Sequence, residues 1–190
     1  MNNQNFRLLE NINRIKTISQ GLGEELLKQV VFVGGSVIGL YATSDSAPDS
    51  RPTKDIDCVI KLTSKVNFAK LGEKLRKRGF NEDLSENAPI CRWVYKEVVV
   101  DIMPDDPSIL GFSNYWYKDG IENSVDYNIS EKLSIKIFSA PYLIASKIEA
   151  FKNRGRNDIT VSTDFEDIIY ILDNRKELIE EISVASKEIK

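Results

Sequence analysis

Residues 30–62 read VVFVGGSVIGLYATSDSAPDSRPTKDIDCVIKL, and the fold turns on this stretch. It opens with the apolar run Val30-Val31-Phe32-Val33 and breaks at Gly34-Gly35-Ser36. A polar loop rich in Ser, Asp and Pro follows, and Asp55-Ile56-Asp57 then begins a second β-like run through Leu62. Side chains alternate across a strand, so Asp55 and Asp57 point to one face and Ile56 and Cys58 to the other. Two like charges about 4 Å apart repel by about 4 kcal/mol at an effective dielectric of roughly 20. Solvation at a loop boundary can bear that cost. A hard divalent cation such as Mg²⁺, which prefers oxygen ligands, relieves it outright.

Around this stretch, Gly34-Gly35-Ser36 leaves a strand and enters Val37-Ile38-Gly39-Leu40-Tyr41, a short helix by pattern. Glycines at such a turn let backbone N–H groups approach a phosphate, and a helix N-terminus adds a favourable dipole. Ser36 could supply a hydroxyl to that phosphate or serve as an N-cap. No Gly-Lys-Ser/Thr follows, so this is not a P-loop. The intervening loop, Thr43 to Lys54, holds one arginine, Arg51, which could reach a ligand phosphate; a solvated loop position is the preferred reading.

Composition narrows the chemistry. The chain has 190 residues, 42% hydrophobic and 29% charged, enough for one domain or one domain with an appendage. A net charge of −3 gives no global attraction to nucleic acid, so any polyanion contact needs a local patch. The absence of histidine removes Ser-His-Asp and Cys-His catalysis and His-based zinc sites. Cys58 and Cys91 both fall in β-like runs and are expected as small buried hydrophobes in a reducing compartment. No apolar run approaches the roughly 20 residues of a membrane span, and the N-terminus is not a signal peptide. The expectation is a cytoplasmic protein with no membrane partner.

Further from the centre, Leu8, Ile12, Ile15 and Ile18 repeat at helical steps over about Phe6 to Ser19, with Gly21 and Gly23 expected to break that helix before a short one at Glu24 to Gln29. Lys65 to Arg78 is an amphipathic helix with a basic end and Gly79 as its stop. Ile90 to Tyr95 and Val98 to Met103 form a hairpin about Lys96-Glu97. In its second strand Val99, Asp101 and Met103 share a face, and Asp101 sits where a charge needs a metal or a basic partner. Pro104 to Ser130 is irregular by pattern. Its aromatic cluster, Gly111 to Tyr117, either packs the core or stacks a base. Leu133 to Phe138 is a strand, and Pro141 opens a helix whose buried stripe of Leu143, Ile144, Ile148 and Phe151 also carries Lys147. That lysine either snorkels to the rim or faces an anion. Lys152, Arg154 and Arg156 form a basic loop, Thr163 to Glu166 matches a capping box, and Asp164 and Asp167 follow on that helix. A last amphipathic helix spans about Arg175 to Ile189.

Three carboxylates from neighbouring strands beside a phosphate-binding turn can build a two-metal site. In Gly34-Gly35-Ser36, Asp55-x-Asp57 and Asp101 within Val-Val-Asp-Ile-Met the chain resembles the nucleotidyltransferase superfamily with a polymerase-β-like palm. Pro141 to Phe151 and Asp164 to Ile168 resemble its AbiEii branch, known from toxin–antitoxin and phage-defence systems. The resemblance covers about Val30 to Leu172. It implies an α/β (α+β) fold: a mixed-sheet palm over residues 1–140 with its N-terminal helix, and a helical C-terminal part over 141–190. It implies NMP transfer from an NTP to a hydroxyl acceptor, with Mg²⁺ or Mn²⁺ held by Asp55, Asp57 and Asp101. Gly34, Gly35 and Ser36 would hold phosphate, Lys147 the triphosphate, and Asp101 would help position or deprotonate the acceptor. Asp167, with Asp164, matches the later acidic motif and is counted with the nucleotide-binding residues. The acceptor could be RNA such as the tRNA 3′ end, in a toxin with an antitoxin partner, or a protein or small hydroxyl compound. A non-catalytic nucleotide- or partner-binding protein of the same fold is the alternative. One departure touches the acceptor side: 18 residues separate Ser36 from Asp55, more than the superfamily usually has.

Overall fold

The computed structural model describes residues 6–154 and 158–189. Helix α1 (Phe6–Leu27) leads into β1 (Val30–Val33), a 3₁₀ helix (Gly35–Tyr41) and β2 (Asp55–Ile60). Then come α2 (Lys65–Lys77), the short β3 (Asn81–Glu82), β4 (Arg92–Tyr95), β5 (Val98–Pro104), α3 (Pro107–Leu110) and α4 (Tyr117–Glu122). The hairpin β6 (Ser124–Ser130) and β7 (Leu133–Phe138) precedes α5 (Ala140–Asn153), α6 (Thr163–Asn174) and α7 (Leu178–Val184). The seven strands form one mixed sheet in the order β3-β4-β5-β2-β1-β7-β6. Parallel pairing joins β2 to β5 and β1 to β7, and the other neighbours are antiparallel.

Register divides the two faces of the central strands. Phe32 pairs with Cys58 and Cys58 with Ile102, and all three are fully buried. Helix α1 packs over β4, β5 and β7 with Ile15, Ile18 and Leu22 inward. On the opposite face, Val33 pairs with Asp57, Asp57 with Asp101, and Asp101 with Arg92. One pleat thus carries an apolar residue, two carboxylates and a guanidinium across four strands.

Several boundaries differ from the sequence expectation. Gly21 lies within α1, and the chain kinks only at Gly23, whose φ of 62° is left-handed. The hairpin turn is at Lys96-Glu97, both with positive φ as a two-residue type I′ turn demands, but β4 starts at Arg92 and leaves Ile90 exposed. The stretch expected to be irregular contains β6, an edge strand exposed along most of its length. Helix α6 is capped by Ser162, which accepts from the Phe165 N–H at 3.2 Å, so Thr163 is its first helical residue and not its cap. The last helix is confined to Leu178–Val184. Both cysteines are free and buried, as expected.

The long loop after the 3₁₀ helix is fastened at its middle to two helices. Asp49 accepts from the N–H groups of Arg7 and Leu8, satisfying donors at the start of α1. The Tyr170 hydroxyl of α6 donates to the Pro48 carbonyl at 2.9 Å.

Candidate active site

The charged pleat floors a cleft of about 230 Å³ whose lining includes Gly34, Asp57, Asp101, Tyr117, Lys147 and Arg154. Strand alternation and the β2–β5 register bring Asp57 beside Asp101, and Asp55 lies two residues away on the same face. Gly34 has φ 74°, and a Cβ there would run into the Asp57 carboxylate. Only glycine therefore lets the first strand turn this close to that acid.

Asp101 is 8% exposed, and both its oxygens accept from Arg92: Nε to Oδ1 at 2.8 Å and Nη2 to Oδ2 at 2.8 Å. The same Nη2 reaches Asp55 Oδ2 at 3.2 Å. Such a bidentate, charge-assisted fork is the strong form of this ion pair. Asp57 has no ion-pair partner among the described residues. Burial, then the neighbouring Asp55 charge, pushes its carboxyl up to about 7; Asp101 adds to this, while Lys147 and Arg154 oppose it.

The facing wall is basic and is organised from behind. Lys147 Nζ lies 3.1 Å from Asp164 Oδ1 and 2.7 Å from Asp167 Oδ2. Arg51 grips both oxygens of Asp167 at 2.7 and 2.8 Å, and Arg154 Nη1 lies 2.8 Å from Asp164 Oδ2. Asp164 and Asp167 are almost fully buried. Three cations on two carboxylates leave one positive charge at this wall. Three carboxylates with one guanidinium leave two negative charges at the other.

Of the residues singled out in the sequence, Asp55, Asp57, Asp101, Gly34 and Lys147 converge on the cleft or its floor. Gly35 abuts Arg51, whose Nη2 would lie 2.7 Å from a Cβ at that position. Ser36 is fully buried with an unpartnered hydroxyl and does not line the cleft. Asp167 sits behind Lys147, anchoring it and Arg51. Arg51 is therefore no solvated loop residue. Arg92 did not stand out in the sequence at all, although the hairpin turn alone places it opposite Asp101. Arg156 of the basic loop lies outside the described residues.

Of the aromatic cluster, Trp116 packs edge-on against Tyr142 and Tyr117 against Phe138, while Phe112, 46% exposed, lies at the cleft. The basic end of α2 is engaged elsewhere: Lys74 pairs with Glu25, and Arg76 with Glu82.

Among the described residues no three of Asp, Glu, Cys or His are grouped to hold an ion by themselves, and the Arg92 guanidinium reaches both Asp55 and Asp101. The Asp57–Asp101 pair nevertheless fits a hard divalent ion: its donors are oxygens, and the Asp57 carboxyl, raised first by burial and then by Asp55, has no cation paired with it among the described residues.

No protein-family model matches the chain, and no curated protein matches it. Among solved structures it is similar to the solution structure of the antibiotic-resistance factor ANT(2'')-Ia, with 12% identity over 95% of this chain and 88% of that one and a TM-score of 0.53. At that identity the likeness concerns architecture alone: a seven-stranded mixed sheet flanked by helices, the nucleotidyltransferase fold.

Proposed function

We propose that the protein is a metal-dependent nucleotidyltransferase that moves NMP from an NTP to a hydroxyl acceptor. One observation carries this reading: an acidic wall and a basic wall of opposite residual charge face each other across one cleft beside a glycine turn. A divalent ion bound by Asp57 and Asp101 would neutralise triphosphate charge and polarise the α-phosphorus. Lys147 and Arg154 would hold the β- and γ-phosphates and take up charge on the departing pyrophosphate. Gly34 and Gly35 would let backbone N–H groups approach the phosphates. Asp101 would orient the acceptor hydroxyl and receive its proton as oxygen bonds to the α-phosphorus and the bond to the bridging oxygen breaks.

For the acceptor we propose RNA, such as a tRNA 3′ end in a toxin paired with an antitoxin protein. Its support is the two AbiEii-like segments, Pro141 to Phe151 and Asp164 to Ile168, and the basic rim at Lys152 and Arg154; the paired basics of α2 add nothing to it. The second reading, a nucleotide-binding protein without turnover, draws on Arg92 occupying both Asp101 oxygens.

The test is incubation with each α-labelled NTP and Mg²⁺, with total tRNA or total protein, beside Asp57→Ala. Label entering RNA with the wild type alone supports the full reading. Label in a protein band or a low-mass product keeps the transferase and replaces the acceptor. Tight NTP binding without any label supports the second reading.

A further inference from the structure

We propose that Arg92 takes the place of one metal ion, so that the site works with a single divalent cation and a built-in guanidinium. This inference rests on the nucleotidyltransferase reading above.

A second metal in such sites spans carboxylates and neutralises them. Here the Arg92 fork already does both. It binds Asp101 through two nitrogens at 2.8 Å and bridges to Asp55 at 3.2 Å through the same terminal nitrogen. Arginine stays protonated at any working pH, and its planar fork matches a carboxylate, so the bridge is permanent where a bound ion would exchange. The fork is also hard to displace. The Lys96-Glu97 turn fixes β4 against β5 with Arg92 directly opposite Asp101, and the Arg92 side chain is 26% exposed. Pulling the guanidinium away would strand a carboxylate that is only 8% exposed.

Geometry leaves one opening. Asp55 and the Arg92-facing edge of Asp101 are engaged, while Asp57 is unpaired and faces the cleft with Gly34 against it. A purely structural ion pair would make Arg92 matter for stability alone. A cation surrogate makes it decide how many ions the site takes.

Native mass spectrometry of the full chain with Mn²⁺ and an NTP analogue that cannot be cleaved between its α- and β-phosphates counts the ions in the ternary complex. The expected result is one Mn²⁺ in the wild type, one in Arg92→Lys, which keeps the charge, and two in Arg92→Met. Two ions in the wild type, or one in Arg92→Met, would overturn the proposal. The wild-type count decides against it even if Arg92→Met does not fold. If the wild type holds no more Mn²⁺ than Asp57→Asn, it is the transferase reading that fails, an outcome distinct from finding two ions.

Discussion

Gly34 and Asp57 form a single steric unit, since the missing Cβ of one is the space taken by the carboxylate of the other. That closeness has a cost in the nucleotide-free protein. With its carboxyl raised to about 7, Asp57 binds its proton more tightly when folded than when unfolded. The stability this contributes is fully present below the ordinary aspartate pKa of about 3.9 and is lost as pH rises through about 7. Asp57→Asn, which cannot ionise, should therefore melt higher than the wild type at pH 8 while losing label transfer. The gap should widen from about pH 4 to about pH 7 and level off above, at about 2–4 °C for each kcal/mol relieved. Thermal melts of both proteins across that range, without metal or nucleotide, check it. A gap that ignores pH would show that Asp57 is not held in this strained state. Added Mn²⁺ should close the gap by stabilising only the wild type.

Between elements, the decisive contacts join segments far apart in sequence. Asp167 of α6 holds Arg51 from the loop before β2 and Lys147 from α5, and it is 1% exposed. Asp167→Ala would leave Arg51 without a carboxylate and Lys147 with Asp164 alone, with an expected cost of about 3 kcal/mol. The exposed Lys61–Glu122 pair offers the contrast, because Glu122→Ala should change stability by less than about 1 kcal/mol. Urea midpoints of the two variants measure the difference, and equal midpoints would rule out a structural role for the buried cluster. Much of this was legible in the sequence: alternation gave Asp55 and Asp57 one face, and Lys147 stood out on an apolar stripe. Counting back from the Lys96-Glu97 turn also yields the Arg92–Asp101 pairing, since a two-residue hairpin loop fixes register. The Arg51–Asp167 pair was not legible, because its partners lie 116 residues apart and no local pattern links them. Strand β6 carries a period-2 signature of its own, Val125, Tyr127 and Ile129 alternating with polar residues, and pairing with β7 holds it although as an edge strand it is exposed on most positions.

Taken whole, the molecule places its cleft between the sheet and the helices that follow it, so the two must fold as one body if the site is to exist. Division of the chain near residue 140 marks a change from sheet to helices, but the ties across that point are dense. Arg175 donates to the Tyr41 carbonyl at 3.0 Å, and the N–H groups of Thr43 and Ser44 donate to the Asn174 carbonyl at 2.9 and 3.1 Å. Ile171 of α6 and Leu178 of α7 belong to the same apolar core as β1 and β2. Two tryptophans report on the two parts separately. Trp93 is buried on β4, with Gly72 of α2 beside it and Arg76 over its ring, and Trp116 meets Tyr142 of α5 edge-on. Trp93→Phe and Trp116→Phe each leave one reporter, and urea unfolding followed by that fluorescence and by far-ultraviolet circular dichroism should give one midpoint for both probes within each variant. If the reporter at Trp116 is lost at lower urea than the dichroism signal, the helices open before the sheet. Lys147 would then leave the acidic pleat while the strands remain folded, and the cleft would be a docking of two units, with its phosphate-binding wall removable.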